Sequence, residues 1–222
     1  MNNVVQDYVK KCDVCQRQKY LAMSLTGLLQ PLNVPNQVWE DVSLDFVTGL
    51  PRSKGYEAIL VVVYRLSKYS HFILLKQPYT AKRVAKVFAN EVVWLHDIPK
   101  SIVSDRDPIF LSNFWKELFK VQGNMLQMSS AYHPESDGQT KVINGCLKTY
   151  LRCFVSEQPK NWLVWLPWTE LWYNTTYHVS TGVTPFKVVY GRKPPTITRY
   201  LQGEIRVEAV AHDLMDRDEA LC

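Results

Sequence analysis

The chain has 222 residues, 46% of them hydrophobic, which suits one substantial core with small appendages. It has no apolar run of about 18 residues or more, and its start, MNNVVQDYVKKC, lacks the apolar stretch of a secretory leader; an intracellular chain with no membrane span and no targeting signal is expected. Five cysteines, odd and sparse, argue against a disulfide framework, and the net charge of +5 is unevenly spread: residues 201–222 hold six acids against Arg206 and Arg217, leaving a basic body suited to a polyanion.

Residues 1–19 carry Cys12 and Cys15, a Cys-x-x-Cys pair with the spacing of half a zinc site. Zinc takes four ligands and the next histidine is His71, so no complete site and no bound Zn²⁺ are expected. Residues 20–37, with Pro31 and Pro35, read as a linker. VWEDVSLDFV then alternates, with Val42, Leu44 and Phe46 on one face and Ser43, Asp45 and Val47 on the other, the period of a strand. GLPRSKGYE is a turn, AILVVVYRL a strand covered on both faces, and YSHFILLK the third strand of an antiparallel meander. Thr80 is placed to cap a helix with Val84, Val87, Phe88, Val92 and Leu95 as its inner stripe, ending before Ile98 and Pro99.

KSIVSD is a short strand that delivers Asp105 at its end. Ser112 is expected to cap a helix with Phe114, Leu118 and Val121 inward and Gly123 as its stop. NMLQMSSAY is a further strand candidate and HPESDG a loop. In the next helix Ile143, Cys146, Leu147, Tyr150, Leu151 and Phe154 form the core-facing stripe, and Lys141, Asn144, Lys148 and Arg152 the outer face. NWLVWLPWTELWYNTTYH makes another helix, whose Trp162, Trp165, Trp168 and Trp172 are expected in the core or an interface. TPFKVVYGRKPP closes the body, and residues 197–222 have the spacing of a helix leaving it. The order βββ, α, β, α, β, then helices predicts an α/β layer fold with a mixed five-stranded sheet flanked by helices, spanning residues 38–196, with short helical extensions at both ends.

Asp45 lies mid-strand opposite the apolar row, and Asp105 sits where a strand meets a loop; on neighbouring strands the two could hold one Mg²⁺. Taken alone, an acid at a strand end is more often a turn former or a solvated charge. His71 and His96 read as structural.

The blocks CDVCQRQK, WEDVSLDFVTGLP, VVYRLSKYSHF, IVSDRDPIFLSNFWKELF, AYHPESDGQT and WYNTTYHVSTGVTPFKVVYGRKP, in this order from about residue 4 to residue 196, resemble the integrase of gypsy-type LTR retrotransposons, a part of a Pol polyprotein and a relative of retroviral integrases. The resemblance implies an RNase H-like core that cuts and joins DNA with two Mg²⁺ or Mn²⁺ ions, working in the nucleus. It also implies three metal-binding carboxylates: Asp45, Asp105, and a glutamate 35 intervening residues later. That third position is Lys141. An ammonium offers no oxygen to a metal and repels it; at about 4 Å and an effective dielectric near 20, each unit-charge pair is worth roughly 4 kcal/mol. A catalytically inactive core is therefore expected.

Other departures are Tyr64, where the family commonly has Asp, and Gly145 in a helix interior. The family's zinc module has two histidines before its Cys-x-x-Cys, which makes Cys12 and Cys15 a remnant of it. DNA is the expected partner, through Lys141, Asn144, Lys148 and Arg152 with Arg106 and His133 in flanking loops, and homo-oligomers are compatible with the reading. The alternatives are an active Mg²⁺-dependent nuclease or transferase that recruits Asp137, and a non-enzymatic interaction protein that keeps the fold.

Overall fold

The run of β-branched residues after the first turn forms a strand that is buried on both sides. The computed structural model describes residues 3–17, 35–104, 107–113, 115–116, 125–128, 138–155, 158–196, 208, 212 and 215, with backbone alone for Cys15, 125–128 and 138–139. The chain divides into two units, Met1–Arg192 and Lys193–Cys222. In the second, residues 208, 212 and 215 are helical. Among the described residues no helix is long and apolar enough to cross a membrane.

The first unit opens with two short helices, α1 (Asn3–Lys11) and α2 (Asp13–Arg17). Strands β1 (Asp41–Val47), β2 (Tyr56–Tyr64) and β3 (Ser70–Lys76) follow, then α3 (Ala81–Phe88), β4 (Ser101–Ser104), α4 (Pro108–Leu111), β5 (Met125–Met128), α5 (Gly138–Val155), α6 (Trp162–Thr175) and α7 (Pro185–Tyr190). The sheet runs β3-β2-β1-β4-β5, antiparallel across the meander and parallel from β1 through β4 to β5, a mixed five-stranded sheet as expected. Residues 53–56 turn β1 into β2. Lys54 and Gly55 both have positive φ, 47° and 86°, and Ser53 and Tyr56 exchange backbone hydrogen bonds, the hairpin geometry that matches strand twist.

Because side chains alternate, Ala58, Leu60, Val62 and Tyr64 of β2 enter one core with α3, while Ile59, Val61 and Val63 enter a second core with α5 and α6. The helices thus cover both sheet faces, and β2 reads as an unbroken apolar run for that reason.

Several local expectations shift. Thr80 caps α3 as expected, accepting from the Arg83 amide at 3.3 Å. The helix then passes through a π turn, Ala89–Val93, before its last turn, Trp94–His96. The wider turn rotates the stripe, so Val92 stays buried while Leu95, expected inside, is 59% exposed. Asp107 caps a short helix that the sequence did not announce, accepting from Ile109 N–H at 2.9 Å with Pro108 in the first turn; Ser112 follows it, donating to the Ile109 carbonyl and accepting through its own carbonyl from the Lys116 amide at 3.3 Å, with residues 113, 115 and 116 helical. Trp115 fills the core there; Phe114, Leu118, Val121 and Gly123 lie outside the described residues. On α5 the buried stripe is Ile143, Leu147, Leu151 and Val155, and Phe154, expected inside, is 46% exposed. Of the four tryptophans only Trp162 is fully buried; Trp172 is exposed and Trp165 and Trp168 lie between.

The open edge of the sheet, β3, is closed by side chains of α6. Asn174 donates to the Ser70 carbonyl and accepts from the Ser70 amide, both at 2.8 Å, and Glu170 accepts from the Phe72 amide at 2.7 Å. Two residues four apart on one helix thereby substitute for a sixth strand. Glu170 also accepts from His71 Nδ1 at 3.1 Å, and His71 Nε2 faces His96 Nε2 at 3.0 Å, so one proton lies between the two imidazoles. Trp39 stacks on His96 with ring centroids 3.7 Å apart, and Tyr64 meets both histidines edge-on. Tyr64 thus serves as a core aromatic. Both histidines are structural, as expected.

Replacing Asn174 by Ala leaves both Ser70 backbone groups unpaired at a buried edge and is expected to cost about 2–4 kcal/mol, measurable by urea denaturation. Burial and the neighbouring His71 hold the His96 imidazole down to about 4 from 6.5. Between those values the unfolded chain binds the proton more readily, so this contribution is complete above pH 6.5 and is lost as the pH falls toward 4. His96→Gln should flatten the dependence of Tm on pH in that window; slopes equal to wild type would show that the pair does not titrate this way.

Candidate nucleic-acid and metal site

Asp45 sits on β1, the central strand, where alternation turns it toward the face covered by α5. It is half-buried and closely held: Oδ1 accepts from the Phe46 amide at 2.7 Å and Oδ2 accepts from Asn144 Nδ2 at 2.9 Å. The bond from Asn144 fixes the first turns of α5 against the strand. In the parallel β1–β4 register Leu44 pairs with Ser104, and these are the residues that precede Asp45 and Asp105 in the sequence.

The same helix sorts the basic residues. Lys141, Lys148 and Arg152 are exposed, as expected, and α5 carries no acidic residue. Asn144 departs from the expected outer face. Its position between the exposed Lys141 row and the buried Ile143–Leu147 row brings it to the edge of the packed surface, where it reaches the carboxylate. Its Oδ1 is buried without a hydrogen-bond partner among the described residues. The pattern that could have revealed this partner of Asp45 is a lone amide flanking a buried stripe, three residues after Lys141. Asp105, Arg106, His133 and Asp137 lie outside the described residues. Cys12 is half-buried, and its neighbour Cys15 is described by backbone alone.

Mg²⁺ and Mn²⁺ want oxygen donors, several of them charged. The described donors here are one carboxylate whose oxygens already accept N–H bonds and one uncharged amide oxygen, with an ammonium rooted one helical turn from that amide. Among the described residues no three His, Cys, Asp or Glu side chains converge as a metal site.

The Asn144 to Asp45 bond has a measurable share in stability. A double-mutant cycle with Asn144→Ala and Asp45→Ala, followed by chemical denaturation, should give a coupling of about 1.5–3 kcal/mol, as for a hydrogen bond to a charged group. Zero coupling would mean that the bond does not anchor the helix.

No family model matches the chain. Curated relatives include the transposon Tf2-3 and Tf2-4 polyproteins of Schizosaccharomyces pombe, each 35% identical over 190 residues, 86% of this chain. The chain spans 14% of their length. Among solved structures, a chain of the simian T-cell lymphotropic virus intasome in complex with PP2A regulatory subunit B56 gamma superposes with a TM-score of 0.59 at 17% identity, covering 92% of this chain and 72% of that one. The HTLV-2 integrase catalytic core domain in complex with magnesium gives 0.52 at 19% identity, covering 70% of this chain and 97% of that one. The chain is thus homologous to a stretch of the Tf2 retrotransposon polyproteins and has the RNase H-like α/β fold of an integrase catalytic core.

Proposed function

We propose that this chain is an integrase core of the DNA-integration type that still binds DNA and has lost strand transfer. The observation that carries the proposal is the ammonium of Lys141 in the first turn of a helix whose Asn144 is bonded to Asp45. In this reading Asp45 and Asp105 are the two remaining metal-site carboxylates, and the pairing of Leu44 with Ser104 supports their being neighbours. Lys141 occupies the place of the third. With an ammonium there, the site holds too little negative charge to gather two divalent ions, and the chain's own residues are left with binding. Lys148 and Arg152, exposed on the same helix, support contact with a phosphate backbone. Arg106 and His133 belong to the same proposed surface.

Cys12 and Cys15 are, in this reading, the half of a zinc module that cannot close alone. The core occupies residues 38–196, after a linker at 20–37 and before a helical segment at 197–222.

The test uses the purified chain with labelled terminal-repeat DNA in Mg²⁺ or Mn²⁺. Neither nicking nor joining is expected. DNA binding should persist and weaken with salt, with a log–log slope of about −0.9 for each phosphate contacted. Metal-dependent joining that disappears in Asp45→Asn would overturn the proposal. Lys141→Glu, which restores the third carboxylate, is expected to raise Mg²⁺ affinity at least about tenfold by titration calorimetry.

A further inference from the structure

We propose that Lys141 turns a metal-bridged phosphate site into a metal-independent one, so that this chain holds a nucleic-acid phosphate directly by its ammonium and needs no divalent cation to bind. The inference rests on the DNA-binding reading above and specifies how its central contact is made. Three observations lead to it.

The first is the state of Asp45. Both of its oxygens accept N–H bonds, one from its own strand and one from Asn144. Its charge is therefore partly met by fixed donors, and a nearby cation does not have to be a metal. The second is the placement of Lys141. The turn that carries it is fixed to β1 through Asn144, while Lys141 itself is exposed, so its flexible stem is rooted beside the carboxylate and its ammonium can meet an incoming anion.

The third is the row it heads. At 1.5 Å per residue, Lys148 and Arg152 stand about 10 and 16 Å further along α5, roughly three and five times the 3.4 Å axial rise per nucleotide of a DNA duplex. None of the three enters an ion pair among the described residues, and the helix has no acid to neutralise them. A row of cations without ion pairs among the described residues, starting beside Asp45, is a track for spaced phosphates of a nucleic-acid backbone.

The consequence separates this chain from a metal-dependent core. There, divalent ions join carboxylates to phosphate and their removal weakens contact at the site. Here, Mg²⁺ should act only as a screening ion and compete with Lys141.

The experiment is fluorescence anisotropy of a labelled DNA duplex with the full chain, in EDTA and in Mg²⁺ at matched ionic strength. Wild type should bind in EDTA with an affinity equal to or above that in Mg²⁺. Lys141→Glu should lose about tenfold in EDTA, recover part of it when Mg²⁺ is added, and show a log–log salt slope shallower by about 1. Lys141→Met should lose affinity without gaining any response to Mg²⁺. Lys86→Glu, the same charge change on α3 against the opposite sheet face, should leave the response to Mg²⁺ as in wild type.

Wild-type binding that requires Mg²⁺ would overturn the inference and leave the DNA-binding reading standing. So would a Lys141→Glu protein that binds in EDTA like wild type, or a Lys86→Glu protein that changes just as Lys141→Glu does. No binding by wild type under either condition would overturn the DNA-binding reading itself. All variants change exposed residues, and matching thermal melts establish that the fold is intact in each.

Discussion

The attachment of α5 to the central strand is the constraint on which the site depends, and it works at two levels. Ile143, Leu147, Leu151 and Val155 bury one side of the helix against β1 and β2, each contributing roughly 1.5–3 kcal/mol by removal from water. That apolar contact is non-directional and would tolerate small slides along the sheet. The Asn144 to Asp45 hydrogen bond is directional, and it selects one placement in which the first turns of the helix stand beside a particular carboxylate. Whatever residue 141 contributes chemically, it contributes at that place.

The same division of labour holds at the edge of the sheet. The two cores supply cohesion on both faces of β2. Asn174 and Glu170 supply direction by pairing the edge of β3 and so closing it against further strands. Glu170 also ties in His71, and through it His96 on the last turn of the helix that covers the other face. One short network of side chains thereby joins helices from opposite layers. At the α5 end of β1 a held carboxylate stands near cations that enter no ion pair among the described residues.

Charge explains why the proposed loss of catalysis need not carry a loss of fold. Lys141 is exposed and belongs to neither core. An exposed helical position tolerates Lys as well as Glu by propensity, so a substitution there alters cation affinity and leaves packing alone. The reading of this chain as a core that binds without joining follows from that independence of site and scaffold.

Much of the architecture was legible in the residues, because periodicity reports local burial. The alternation of VWEDVSLDFV, the β-branched run of β2, the Thr80 cap and the stripe through Ile143, Leu147 and Leu151 each declare an element and its inner face without knowledge of any partner. The places that were not legible depend on neighbours distant in sequence. Asn144 looked solvent-facing until α5 lay against β1; Leu95 and Phe154 looked internal until a π turn and the flank of α6 set their exposure. The sequence by itself determined the layer class, the strand order of the meander, the basic row on α5 and the presence of Lys141 at the spacing of a carboxylate. Only the tertiary structure decided that Asn144 bonds Asp45, that the parallel pairing of β1 and β4 brings Leu44 beside Ser104, and that Asn174 and Glu170 seal β3. Such contacts join residues about a hundred positions apart or more, or depend on strand register, and no local period can encode a partner that folding has yet to deliver.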